Sequence, residues 1–337
     1  MDINGATSLK TIGVFRYTYP YIHVKLPFNY THKHFDHLRI KNNNTLLIAD
    51  YHIHSYGSFD STLNISSKDT LLWILRKFIN VLRIIKRDIC EKHNKIIFLL
   101  CVVDHENVPL HILRKLREKQ HFVENIFGSL LKEFEENIEL SFKIIVGIEK
   151  KVELGEVLIY FPEPIDLLDY KLKHKILHMV KTCREFLHNI HRISKLNDVV
   201  KQSSHYGYVL AVPHPFKYRN YKLLPNKNIN FIEVFNGRTG LKDNLKVLRL
   251  LLKGNMSKIP LCGSDAHIKN EILNSFTIVS NNFINLFYKI RLFEPAIVFS
   301  NIIAVLRIRD KKHLRNLSTS LGKTVKITLS REFLSWR

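Results

Sequence analysis

The sequence has only four cysteines, and none stands in a CxxC pair. Cys90, Cys101, Cys183 and Cys262 are scattered, so a dense disulfide framework is excluded. Cys101 and Cys262 lie in or beside apolar runs, as reduced core thiols of a cytoplasmic protein do. Long apolar runs are also missing: stretches such as Ile96–Val103 are far too short to cross a bilayer, so no membrane partner is expected. The opening Met1-Asp-Ile-Asn-Gly lacks the basic-then-apolar order of a secretory signal, and a cytoplasmic location is the expectation. No internal repeat or low-complexity linker stands out. Acidic residues are few beside basic ones, 30 against 52, giving a net charge of +22. That excess draws polyanions, which makes phosphorylated small molecules and nucleic acid candidate partners. No block of five consecutive basic residues occurs, and the Ile- and Asn-rich composition explains abundant Lys equally well.

What is present is a chain of 337 residues, 45% apolar and 11% aromatic, enough for one large domain or two ordinary ones with a substantial core. Residues 1–45 are Tyr-, Phe-, Pro- and His-rich without clear periodicity and read as a β-rich or irregular extension; its His32/His34 pair has no strand leading into it. Ser66-Ser67-Lys68-Asp69 opens a helix whose apolar positions Leu71, Leu72, Leu75, Phe78, Leu82 and Ile85 keep a helical period. Ile96–Val103, Ser141–Ile148, Glu156–Phe161, Tyr208–Val212, Phe231–Phe235 and Ile259–Cys262 have strand character. Between them run helix-favouring stretches over roughly 110–137 (interrupted near Gly128), 165–193, and a shorter one ending before Gly207. Alternating strands and helices predict an α/β fold with a parallel barrel or doubly wound sheet. The basic cluster Arg307, Arg309, Lys311, Lys312 and Arg315 reads as a solvated face.

The chemistry gathers at strand ends. Leu46-Leu47-Ile48-Ala49 is a buried strand, and Asp50, His52 and His54 follow in alternation, which places them on one face. Two imidazoles on a rigid strand end suit a borderline transition metal such as zinc, iron or manganese. Ile96–Val103 runs into Asp104-His105, Ser141–Ile148 into Glu149, Tyr208–Val212 into Pro213-His214-Pro215, and Ile259–Cys262 into Gly263-Ser-Asp265-Ala-His267. Parallel α/β folds collect the carboxyl ends of their strands at one rim, so these residues are expected to converge.

In that order, His52-Ile-His54, Asp60, Asp104-His105, Gly147-Ile-Glu149, Pro213-His214-Pro215 and Gly263-Ser-Asp265-Ala-His267 resemble the motifs of the PHP (polymerase and histidinol phosphatase) superfamily, over about Leu46 to Glu271. The resemblance implies a distorted (β/α)7 barrel of PHP type spanning residues 46–337, preceded by the extension 1–45. It implies a hydrolase, a metal-dependent phosphoesterase acting on a nucleotide or other small phosphomonoester through metal-activated water. It implies two or three divalent transition metals (Zn, Mn or Fe). One would take His52, His54, Glu149 and Asp265, which are also the expected catalytic residues. A second would share Glu149 and add His214. A third would take Asp60, His105 and His267. Where many members carry a histidine after the glutamate motif, this chain has Gly155-Glu156-Val157, making Glu156 an additional candidate ligand or the second metal weak or absent.

Asp50 and Asp104, beside the ligands, either orient imidazoles, are plainly solvated or cap strands. Lys217, Arg219 and Arg238 follow strand-end motifs and are candidate clamps for a substrate phosphate. A nuclease acting on nucleic-acid ends and a catalytically inactive binding scaffold remain the alternative functions.

Overall fold

The computed structural model describes residues 21–27, 45–88, 95–131, 138–161, 163–169, 172–253, 258–280 and 283–289. The His32/His34 pair, most of the expected N-terminal extension, Cys90 and the basic cluster at 307–315 lie outside them.

The strands are β1 (Tyr21–Pro27), β2 (Thr45–Ile53), β3 (Lys95–His105), β4 (Glu139–Val152), β5 (Gly155–Tyr160), β6 (Ile165–Asp166), β7 (Val209–Val212), β8 (Phe231–Asn236), β9 (Ile259–Gly263), β10 (Ser275–Ser280) and β11 (Phe283–Lys289). The helices are α1 (Lys68–Asp88), α2 (Leu110–Arg117), α3 (Gln120–Leu131), α4 (Leu172–Ile190), α5 (Leu196–His205) and α6 (Leu241–Leu252). The strands form one sheet in the order β1-β11-β10-β2-β3-β4-β5-β7-β8-β9, with β6 paired to β4, and this α/β sheet curls into a nearly closed barrel.

The sheet is mixed rather than parallel. β2, β3 and β4 run parallel, as do β7, β8 and β9, but β5 is antiparallel to both β4 and β7. The cause is local: only Glu153 and Leu154 separate β4 from β5, and so short a link can only make a hairpin. β10 and β11 add antiparallel strands beyond β2, and β1 of the N-terminal region pairs with β11.

β2 changes partner along its length. Its first half pairs with β10 at Leu47–Ala49, and its end meets the chain leaving β9 through an Ile53–Ala266 bridge. His54 N–H donates to Ala266 O at 2.9 Å and Asp265 N–H to His52 O at 2.6 Å, which draws the barrel shut. Gly263 permits the approach, because a Cβ there would stand 2.3 Å from His52 Cβ.

β3 is buried from Ile96 to Val103, one face turned into the barrel and the other under helices, hence its unbroken apolar text. Tyr51, Cys101, Ile145, Tyr160, Val209, Phe231 and Leu261 fill the barrel interior around a void of about 10 Å3. Ser67 caps α1 by accepting Thr70 N–H, and Leu71, Ile74, Leu75, Phe78 and Leu82 bury its inner face while Leu72 is half-buried. Cys101, Cys183 and Cys262 are buried free thiols.

Two helical expectations shift. The 110–137 stretch breaks at Glu118–Lys119, while Gly128 lies inside α3 with open space around it. The stretch expected to be helical from 165 starts instead with β6, and α4 begins only at Leu172. Among the described residues no helix is long and apolar enough to cross a membrane.

Candidate metal centre

The strand ends meet. His52 and His54 leave β2, His105 ends β3, Glu149 lies in β4, His214 follows β7, and Asp265 and His267 follow β9. Glu149 is the hub. Its Oε2 lies 3.1 Å from His105 Nδ1, 3.3 Å from His54 Nε2 and 3.6 Å from His52 Nε2, and its Oε1 lies 3.0 Å from His214 Nε2. Asp265 Oδ1 sits 3.2 Å from His54 Nε2 and 3.7 Å from both His52 Nε2 and His267 Nδ1. Asp60 reaches His267 Nε2 at 2.9 Å and His105 Nε2 at 3.5 Å. Glu156 Oε2 approaches His214 Nε2 at 3.8 Å. All eight expected ligands and Glu156 therefore form one contact cluster.

Three rings are turned so that the same nitrogen faces inward. His52 Nδ1–H donates to Glu233 at 3.2 Å, His54 Nδ1–H to Ser58 Oγ at 3.2 Å, and His267 Nδ1–H to Asp265 O at 2.8 Å. Each turns its Nε2 toward the cluster, the atom that a proton or a cation would occupy. The Nε2 atoms of His52 and His54 then stand 3.0 Å apart, a contact that needs a proton or a cation between them. Glu156 Oε2 is buried and has no hydrogen-bond donor. Donors bound to one transition metal at about 2.1 Å sit roughly 3–4 Å from each other, as these do. Among the described residues three groups could each hold an ion: His54, His105 and His267; His52, His54 and Asp265; His52, Glu149 and His214. Nitrogen and carboxylate donors together suit zinc, manganese or iron.

The electrostatics carry the same message. Burial opposes charge on His52, yet Glu233, Asp265 and Glu149 overcome it and hold its imidazole well above the usual value. Burial is likewise outweighed at His54, raised to about 9 by its contacts with Asp265 and Glu149. Against burial, His52, His105 and His214 hold the Glu149 carboxyl well below its usual range, and His52 and His54 do the same for Asp265. Burial and the nearby charge of Glu149 push Glu156 up.

Residues without a motif hold this arrangement. Glu233 accepts His52 Nδ1–H and also His214 N–H at 2.8 Å. Ser58 Oγ accepts His54 Nδ1–H and His105 N–H while donating to Asp104 at 3.2 Å, so Asp104 orients His54 at one remove. Asn220 donates to Pro213 O and lies 3.0 Å from His214 Nδ1. Asp50 departs from its expected alternation: the β2–β3 register shifts after it, and its carboxylate accepts the N–H groups of Ser264 and Leu273. It ties β2 to its two successive partners, and burial raises it to about 6. Glu106, His214 and Asp265 all have positive φ, so several rim residues are held in a costly backbone conformation.

A cavity of about 500 Å3 opens on the cluster, lined by Asp60, His105, Glu149, Glu156, His214, Asp265 and His267 together with Phe59, Glu106, Lys151, Lys217, Tyr218 and Arg238. Lys217 Nζ stands 3.9 Å from Asp265 Oδ2, and Arg238 pairs with Glu271 at 3.8 Å. Arg219 is exposed and not among the lining residues.

No protein-family model and no curated protein matches the sequence. Solved structures matched in the comparison include an amidohydrolase from Chromobacterium violaceum with bound sulfate, 14% identical at a TM-score of 0.38, covering 68% of this chain and 90% of that one. They also include a provisionally assigned metal-dependent phosphoesterase from Bifidobacterium adolescentis, 12% identical at a TM-score of 0.30, covering 65% and 87%. In its ordered motifs the chain resembles the PHP superfamily.

Proposed function

We propose that the protein is a metal-dependent hydrolase of phosphate esters on a PHP-type barrel, acting on a small phosphomonoester, nucleotide or otherwise. The observation that carries this reading is Glu149, a buried carboxylate met by four imidazoles, two of which bring their Nε2 atoms to 3.0 Å of each other. Such a set is costly to keep dry without cations. His52, His54, Glu149 and Asp265 would hold one ion, Glu149, His214 and Glu156 a second, and Asp60, His105 and His267 a third. Bound divalent metals supply Lewis-acid polarisation of the phosphoryl group and an acidified water nucleophile.

The chain's own groups do the rest. Lys217 and Arg238, on the cavity wall, meet the phosphate's remaining charge and orient it. Glu233, Ser58 and Asn220 fix the ligand rings so that little rearrangement accompanies the reaction. In the hydrolysis a water oxygen bonds to phosphorus, the ester P–O bond breaks, and the proton that the water gives up passes to the leaving oxygen, which departs as an alcohol.

The test is a panel of phosphomonoesters, with single-stranded oligonucleotides included, assayed with Mn2+, Zn2+ and Fe2+ alongside metal analysis. His54→Ala and Asp265→Ala are each expected to lose at least about a thousand-fold in turnover with the circular dichroism spectrum retained. Metal-free protein that takes up no ion, or near-normal rates in either variant, refutes the assignment.

A further inference from the structure

Two large aromatic side chains stand in solvent at the rim of the cavity. Phe59 is 90% exposed and Tyr218 is 62% exposed, and both line the cavity over the cluster. A phenyl ring left in water forgoes the burial that is its usual contribution to a fold. Tyr218 and Arg219 are consecutive non-glycine residues at φ 49° and 66°, a strained turn. Buried Asn220 holds that turn through Pro213 O and by accepting Glu156 N–H. Strain maintained without a packing reward points to function.

The two rings flank the cluster. Phe59 lies 5.2 Å from the His105 ring and Tyr218 lies 5.9 Å from the His214 ring. His105 and His214 in turn contact different oxygens of Glu149. Lys217 Nζ sits 4.8 Å from the Tyr218 ring centre, placing a cation beside an aromatic face.

Resting on the phosphoesterase reading above, we infer that Phe59 and Tyr218 determine specificity by stacking a flat base on the leaving group, so that the substrate is a nucleoside monophosphate. Every nucleobase offers a π-face to Phe and Tyr, whereas a polyol or amino-alcohol phosphate offers none. The cavity, about 500 Å3, falls within the roughly 300–1,000 Å3 usual for small ligands, which favours a mononucleotide over a strand.

The test uses adenosine 5′-monophosphate and ribose 5-phosphate, which share sugar and phosphate and differ in the base. kcat/KM with Mn2+ is measured for the wild type, Phe59→Ala, Tyr218→Ala and Phe59→Trp. Binding of both compounds is measured by equilibrium dialysis with a chelator present, so that it does not depend on turnover. The wild type is expected to prefer the adenosine compound about tenfold or more in both measurements. Each alanine variant lowers that ratio on the order of fivefold or more, and Phe59→Trp retains it. A wild-type ratio near one, or a ratio unchanged in both alanine variants, overturns the stacking role while leaving phosphoester hydrolysis standing. Base-dependent binding without hydrolysis of either compound upholds the stacking role and refutes the phosphoesterase reading. A short single-stranded oligonucleotide is assayed beside them, and a preference for it over the mononucleotide overturns the substrate class.

Discussion

Glu233 takes the Nδ1–H of His52 and the backbone N–H of His214, so one carboxylate steadies two arms of the cluster. It interrupts the apolar run Phe231-Ile-Glu-Val-Phe235, and a lone charge inside a buried strand was visible in the sequence. Its partners were not, because they lie 181 and 19 residues away. Ser58 and Asn220 gave even less warning, being ordinary loop residues whose importance lies in which remote atoms they meet. The motif histidines, by contrast, were legible because each follows an apolar strand. Glu233→Gln keeps the volume but can set an amide N–H against the N–H of His52 or His214. Its affinity for Mn2+, read by calorimetric titration, is expected to fall roughly 10- to 100-fold with near-UV dichroism preserved. An unchanged affinity would remove Glu233 from any part in positioning the rings.

At the scale of elements, the lesson lies in how β-strands choose partners. Strand positions were readable from apolar runs, and β2, β3, β8 and β9 fall where the text placed them. Direction was readable only where linkers were measured: the seven residues between Ser141–Ile148 and Glu156–Phe161 were already too few for a parallel crossover, and the structure shortens the link to two. Asp50 was misplaced for a different reason. Alternation assumes a strand with constant partners, and β2 exchanges β10 for the chain after β9 at this residue. The exchange depends on close backbone approach at Gly263. Gly263→Ala would drive its Cβ to 2.3 Å from His52 Cβ and 2.6 Å from Glu233 Oε1. A stability loss of about 1–3 kcal/mol or more is expected in urea unfolding, together with weaker metal binding. Wild-type stability and affinity in this variant would show that the two strands tolerate a wider gap than the structure gives.

For the whole molecule, the pocket sets a pH dependence that the net charge of +22 does not reveal. The folded value of about 9 for His54 exceeds the ordinary 6.5 of an unfolded chain. Without metal, its contribution to stability is therefore complete below about pH 6.5 and lost as pH rises through about 9, on the order of 3 kcal/mol. A metal ion competes for the same nitrogen, so its affinity, and the stability it adds, increases across that window. Thermal unfolding of chelator-treated protein should give a midpoint that drops from pH 6.5 to 9, and Mn2+ or Zn2+ should restore more of it at the higher pH. Midpoints indifferent to metal throughout that range would contradict a cation site at His54.

The bridge from Ile53 to Ala266 has a consequence for how the protein is made. His52 and His54 leave the ribosome more than two hundred residues before Asp265 and His267 do. Until those last two emerge, a nascent chain owns most of its strands and six of the eight expected ligands, with imidazoles and carboxylates that lack their final neighbours. On the proposed reading a complete metal centre would form only late in biosynthesis, and a product arrested before Ser264 would lack Asp265 and His267.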